Sequence, residues 1–377
     1  MKQRSISGPA LLSAFVFAAA LSATVGSCRK DQPQVTPGLV ASEHILGTDF
    51  AQTNLVADDA SFGAGRIDAN LSNAWGMAIS PSGTLYISAN HTGLAVVYNG
   101  GGSQLRMPIG IPLHGVANGA SPDGAIYNNT PNFIIPGTGR PAKVIFVTED
   151  GIVAAWNSGD TTVTVADRSG ANAVYKGADI ARDGIANFIY VADFHNAKVD
   201  VFDQSFNYVS KSFNDPGIPP GFAPFNIKNI DGMLYITYAK QKLPDNHDDT
   251  SGLGNGYVDI FRPNGTFVKR FASQGTLNSP WGIAQAPEDF GAGRNAILIS
   301  NFGDGRINVF DPNGTYDGQL QNKKVPVSID GLWGIAFVDG DKEWFDHDRD
   351  RSGNSKLYFT AGPQKETFGL FGYLQRK

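Results

Sequence analysis

Short runs of alternating hydrophobic and polar residues recur along the chain, the period of strands with one face buried. Thr84-Leu85-Tyr86-Ile87-Ser88, Ala296-Ile297-Leu298-Ile299-Ser300 and Lys356-Leu357-Tyr358-Phe359-Thr360 are three such runs. Each follows, after a turn or a polar spacer, a shared core: Trp75-Gly76-Met77-Ala78, Trp281-Gly282-Ile283-Ala284 or Trp333-Gly334-Ile335-Ala336. A second shared element spans Val199 to Asp203, Val258 to Arg262 and Asn308 to Asp311. The last two lead into Pro-Asn-Gly-Thr at 263–266 and 312–315, which suits a tight hairpin. The repeating unit is inner strand, strand, polar loop, Val-rich strand, turn, outer strand, at a period of roughly 45 to 60 residues, the range of propeller blades.

This spacing predicts an all-β chain folded as a six-bladed β-propeller, with units near 73–115, 120–168, 171–213, 220–272, 276–322 and 328–377. The second unit is the least regular; its best strands are Lys143 to Thr148 and Gly151 to Asn157. Phe50 to Ala57 has no unit of its own and is expected to pair with Leu370 to Leu374. Closure of the ring by N- and C-terminal strands removes the exposed edges of an open array. A pair of β-sandwiches or a β-helix fits the common four-strand unit less well. No helix-period segment of useful length follows residue 30.

Composition agrees: 45 Gly and 21 Pro punctuate, 24 Phe and 12 Tyr fill sheet interiors, and charged residues are only 17%. The net charge is −5, or −7 once Lys2 and Arg4 are set aside. With no Lys/Arg block, a nucleic-acid partner is not expected.

Those two cations precede an apolar run, Ala10 to Val25, which gives residues 1–27 the form of a signal peptide. It ends in Val25-Gly26-Ser27-Cys28, which resembles the bacterial lipobox, and Cys28 is the sole cysteine. The resemblance implies lipidation at Cys28 and anchoring in a membrane of the cell envelope. Arg29 at the next position points to the outer membrane or surface of a Gram-negative bacterium. An ordinary signal peptide containing a cysteine is the competing reading. Residues 28–48 read as the lipidated cysteine and a polar tether, and 49–377 as the propeller, expected to be monomeric.

Ile189-Tyr190-Val191-Ala192-Asp193 followed by Val199 to Asp203 resembles NHL-type repeats. More of the chain is similar to an uncharacterised family of secreted bacterial propellers. The residues that carry this are Asn54-Leu55-Val56, Asn73-Ala74-Trp75-Gly76, Tyr238-Ala239-Lys240-Gln241, His247-Asp248-Asp249, Gly254-Asn255-Gly256 and Leu277 to Gly282. Asn301 to Gly305, Asp330 to Gly334 and Leu357 to Pro363 continue it. The resemblance implies a fold and an exported life, but no activity.

In such a fold the loops joining second and third strands open on one face, where the inner strands also begin. This register brings Trp75, Phe225, Trp281 and Trp333 to one channel mouth, with Asn90, His91, Glu149, Asp193, His195, Asn301 and Asp304 on the loops above. Apolar walls with a few convergent polar groups compose a ligand pocket. Repeated Trp-Gly also packs blade against blade, and Asp or Asn at strand ends caps turns. The long loop Lys240 to Gly256 carries Asp245, His247, Asp248 and Asp249, a density of oxygens suited to Ca²⁺ or another divalent cation. Asp346, Asp348 and Asp350 open like an EF-hand, but Arg351 and Leu357 stand where its Gly and Glu belong.

The expected function is a binding or scaffold module presenting its loop-rich channel face to a small ligand, a polymer or a protein. A metal-dependent lactonase- or lyase-like enzyme with its site in the channel mouth is the alternative, and a structural envelope protein with a plugged mouth a third. No Gly-x-Ser-x-Gly, His-Glu-x-x-His or phosphate-binding loop is present.

Overall fold

The computed structural model describes residues 48–338 and 355–377. The signal segment, Cys28, most of the tether and the Asp346 to Asp350 patch lie outside them.

Among the described residues, five antiparallel sheets of four strands and a sixth of five strands form the six blades of a β-propeller. The inner strands are Ala74–Ile79, Pro122–Tyr127, Tyr175–Asp183, Phe222–Ile230, Pro280–Gln285 and Leu332–Phe337. Phe50–Ala57 pairs antiparallel with Leu370–Arg376, Gln52 opposite Leu374, so the first strand of the chain completes the last blade. The two termini close the ring as expected.

Local chemistry sets the hairpins. In Asp311-Pro312-Asn313-Gly314-Thr315 the Asp311 carboxylate accepts from the Asn313 and Thr315 amides, both at 2.8 Å, while Gly314 takes φ 98°. A side chain at 314 would also meet the Phe271 carbonyl of the preceding blade at 2.4 Å. Apolar side chains of neighbouring sheets interdigitate between blades: Phe133, Val147 and Val153 meet Tyr175, Val191 and Phe202 between the second and third.

The inner strands share one irregularity. Each carries a register shift near its start, between Ala74 and Met77 in the first blade and at the corresponding places in the other five. The bulged residues read Trp75-Gly76, Asp123-Gly124, Lys176-Gly177, Phe225-Asn226, Trp281-Gly282 and Trp333-Gly334. At Gly76 a Cβ would lie 2.1 Å from the Asp123 carbonyl and 2.7 Å from the Ala125 nitrogen, so the backbones of adjacent blades touch there. Three hydrogen bonds extend the belt. Asn226 Nδ2 donates to the Trp281 carbonyl at 3.0 Å and Ser300 Oγ to that of Trp333 at 2.7 Å, and Thr360 Oγ1 donates to that of Trp75. Ser300 and Thr360 also accept the Gly282 and Gly334 amides that the bulges release.

Forcing a side chain into this belt is expected to cost about 1–3 kcal/mol. Gly76→Val lowers the thermal midpoint accordingly, whereas Gly170→Ala, which meets nothing within 4 Å, leaves it unchanged. Equal midpoints by circular dichroism would contradict the close contact.

Candidate functional site

The bulge directs six side chains to one level of the channel: Trp75, Asp123, Lys176, Phe225, Trp281 and Trp333. Four are aromatic and two adjacent ones are charged. The aromatic arc is a plug. Trp75 meets Trp333 edge-on at 4.0 Å between centroids, Phe302 stacks on Trp333 at 3.8 Å, and Trp281 stands 6.1 Å from Trp333. Phe225 packs on Phe194 at 4.9 Å. Only Phe302 retains partial exposure; the others are buried. The indole N–H groups of Trp75, Trp281 and Trp333 have no partner among the described residues.

The charged arc is built around Lys176, whose side chain is 3% exposed. Its ammonium bonds Glu149 Oε1, sits 3.9 Å from Asp123 Oδ2 and lies 4.7 Å above the Trp75 ring. Asn90 Nδ2 ties the two carboxyls together, donating to Asp123 Oδ1 at 2.7 Å and to Glu149 Oε2 at 3.1 Å. Asp123 Oδ2 is buried and makes no hydrogen bond among the described residues.

Burial works against the Lys176 charge, but Glu149 and Asp123 outweigh it and its pKa is raised. Burial likewise pushes Glu149 up, yet Lys176 outweighs that and Glu149 is lowered. Asp123 is raised well above the carboxylate range by its own burial and then by Glu149. One ammonium serves two carboxyls: Glu149 takes the hydrogen-bonded ion pair and Asp123 stands off at 3.9 Å.

Two more loops reach this corner. His247 Nδ1 lies 3.1 Å from Asp248 Oδ1 and 3.9 Å from Glu149 Oε1. Glu149, His247 and Asp248 each offer a ligand atom within 4.8 Å of the others, the donor set of a divalent cation. Glu366 comes from the last blade on a turn whose residues Gln364, Lys365 and Glu366 take φ of 55°, 59° and 67°. Three consecutive non-glycine residues in the left-handed region hold a conformation that such residues rarely adopt. Glu366 Oε2 accepts from Asn73 Nδ2 at 2.9 Å, and Asn73 also stands 3.4 Å from His91 Nε2. Burial raises Glu366.

Of the residues expected at the mouth, the structure brings together Trp75, Asn90, Glu149, Trp281 and Trp333, joined by His247 and Asp248. His91 stands at the rim through Asn73. The rest hold loops. Asp193 accepts from the Val174 and Asn196 amides, both at 3.3 Å, and His195 Nδ1 donates to the Asp245 carbonyl at 2.8 Å. Asn301 Nδ2 bonds the Thr276 carbonyl and Asp304, and Asp304 caps the Arg306 amide. Asp249 is bound by Ser279 and Ser251. Asp123, Lys176, Asn73 and Glu366 were not foreseen. The signal for the first two was present: Asp123-Gly124 and Lys176-Gly177 occupy the register of Trp75-Gly76.

A cavity of about 460 Å³ lies at the opposite end of the channel, lined by the far ends of inner strands, among them Met77, Ala125, Ala178, Lys228 and Phe337. Lys228 there is paired with Asp179 at 3.3 Å. Volume and buried chemistry thus sit at opposite ends. The mouth is the stronger candidate, because buried polar atoms without partners are rare in native proteins and call for an explanation.

No family model matches the chain. Two uncharacterised proteins of Acanthamoeba polyphaga mimivirus are similar to it. R648 is 34% identical over 334 residues, 85% of this chain and 78% of its own length. L690 is 33% identical over 338 residues, 86% of this chain and 85% of its own. Among solved structures, a streptogramin B lyase superposes with a TM-score of 0.51 at 12% identity, over 89% of this chain and 100% of its own. A protein of unknown function from Bacteroides thetaiotaomicron gives 0.53 at 10% identity, over 86% and 76%. At these identities the likeness is one of fold.

The Asp248 contact, first, raises the His247 pKa, and His247 in turn lowers Asp248 to about 2. Stability from this pair is therefore full below the ordinary histidine pKa and lost as pH rises through the raised one. On the acid side it is lost as pH falls through about 2. An NMR titration is expected to place His247 above a free histidine and to bring it down in Asp248→Asn; a His247 that titrates normally contradicts the contact.

Proposed function

The chain belongs to the same family as the mimivirus proteins R648 and L690, and on that premise we propose that it is a binding module whose channel mouth captures a small ligand or the end of a polymer. The observation that carries this is the Lys176 corner. A buried ammonium, a buried carboxyl with a free oxygen and three loop residues from different blades converge over an aromatic floor. Such a group adds little to stability, because desolvating the charges offsets their attraction. Polar groups arranged at that cost, with shifted pKa values, mark a functional site.

An exported life, with residues 1–27 removed, Cys28 lipidated and the propeller held at the envelope of a Gram-negative bacterium, belongs to the same proposal. It rests on the Val25-Gly26-Ser27-Cys28 sequence and on the resemblance to secreted bacterial propellers.

The second reading is the metal-dependent enzyme. It is favoured by the Glu149, His247 and Asp248 donor set and opposed by Lys176, whose ammonium already occupies Glu149 Oε1. A divalent ion there has to displace or deprotonate a lysine whose pKa is raised.

Metal content and thermal unfolding separate the two. The binding reading expects purified residues 40–377 to carry no stoichiometric divalent ion, and EDTA to leave the thermal midpoint unchanged. An ion whose removal lowers the midpoint, and which Glu149→Gln abolishes, would put the enzyme first, because a ligand of the native state alone must stabilise it.

A further inference from the structure

The hydrogen-bonding capacity left over at the mouth identifies what it fits. Lys176 carries three N–H donors. One bonds Glu149, and no other hydrogen bond holds it among the described residues. Asp123 Oδ2, buried and unpartnered, is 3.9 Å from the same nitrogen, too far for a hydrogen bond and too near for an intervening side chain. An oxygen atom placed between them would lie within hydrogen-bonding reach of both groups.

The surrounding capacity is mixed in sign. Spare donors are the Lys176 ammonium and the second ring nitrogen of His247, whose first is turned to Asp248. The spare acceptor is Glu366 Oε1, its other oxygen being held by Asn73, while Asp248 lies between His247 and Lys242. A ligand with only acceptors leaves the carboxylates unmet. A ligand with only donors leaves the ammonium unmet. A hydroxyl both donates and accepts, and it satisfies the gap whether or not Asp123 carries a proton.

Beside this corner the contacts run without a break from Lys176 over Trp75, through Trp333, to the partly buried Phe302. An apolar ring face next to a mixed set of donors and acceptors suits a molecule with C–H groups on one side and hydroxyls at its edge. We propose that the channel mouth is a carbohydrate site, in which Lys176 and Asp123 share one sugar hydroxyl and Phe302 receives the face of the ring. This rests on the mouth being the binding site and names the chemical class it takes.

The test uses residues 40–377 and seven probes: glucose, galactose, mannose, N-acetylglucosamine, a cello-oligosaccharide, glucuronate and glucosamine. Saturation-transfer NMR and calorimetry read binding. Binding of one or more neutral sugars is expected, weakened at least tenfold by Asp123→Asn and by Phe302→Ala. Lys176→Met is the direct variant but leaves Glu149 buried without its partner. Asp123→Asn keeps the shape and the Asn90 contact, and circular dichroism verifies that each variant is folded.

Binding of glucuronate or glucosamine through Lys176, with no neutral sugar bound, would overturn the hydroxyl shared by Lys176 and Asp123 and leave the mouth as the binding site. Sugar binding indifferent to all three substitutions would place the site elsewhere and overturn both. Failure of all seven probes would overturn the carbohydrate class alone.

Discussion

The close approach of six inner strands at their shared bulge is the constraint from which the rest of the molecule follows. A blade needs its first strand near the channel axis, and six backbones meet there only where side chains are absent or turned away. Glycine at five of the six positions, with Asn226 bridging at the sixth, gives that room. The residue before each then has one direction left, towards the axis. The bulge therefore decides where a site can form, and the identity of six residues decides what kind.

Four of those six residues are aromatic, and they close the channel by packing on one another. Structural and functional uses of the ring divide by blade: the fourth, fifth, sixth and first blades make a floor, and the second and third supply Asp123 and Lys176. Had all six been aromatic, the ring would be a plug and nothing more. A lysine side chain 3% exposed, paired with one carboxylate and beside a second carboxyl, is a costly way to fill the remaining space. Met or Leu fills such a position without desolvating a charge. The left-handed turn at Gln364 to Glu366 adds backbone strain at the same place.

Much of the fold was legible because it repeats. The Trp-Gly cores, the Val-Phe strands and the Pro-Asn-Gly-Thr turns each report a local preference the blade depends on, and repetition separates them from chance. The closing strand, Phe50 to Ala57, was legible as a strand without a unit. The site was legible only in part, since repetition conceals the places where a repeat departs from itself. Lys176 and Asp123 carry the Gly of the motif but not its Trp, so a search for Trp-Gly passes over them. Glu366 left no local signal; it reaches the mouth through a turn built from ordinary residues. Asp193, Asn301 and Asp304 carry the side chains a ligand site needs, and the same oxygens serve equally well to hold their own loops. Only the folded arrangement of their neighbours separates the two uses.

The central claim is that Lys176, Glu149 and Asp123 are placed for a ligand and not to hold the ring together. Chemical unfolding of the Lys176→Met, Glu149→Gln double variant tests it most directly, since it removes the buried pair without leaving a lone charge. Stability equal to or above that of the parent is the predicted result, as for buried ion pairs replaced by neutral residues of similar size. A loss of about 3 kcal/mol or more, the cost of breaking a pair that the fold depends on, would contradict it.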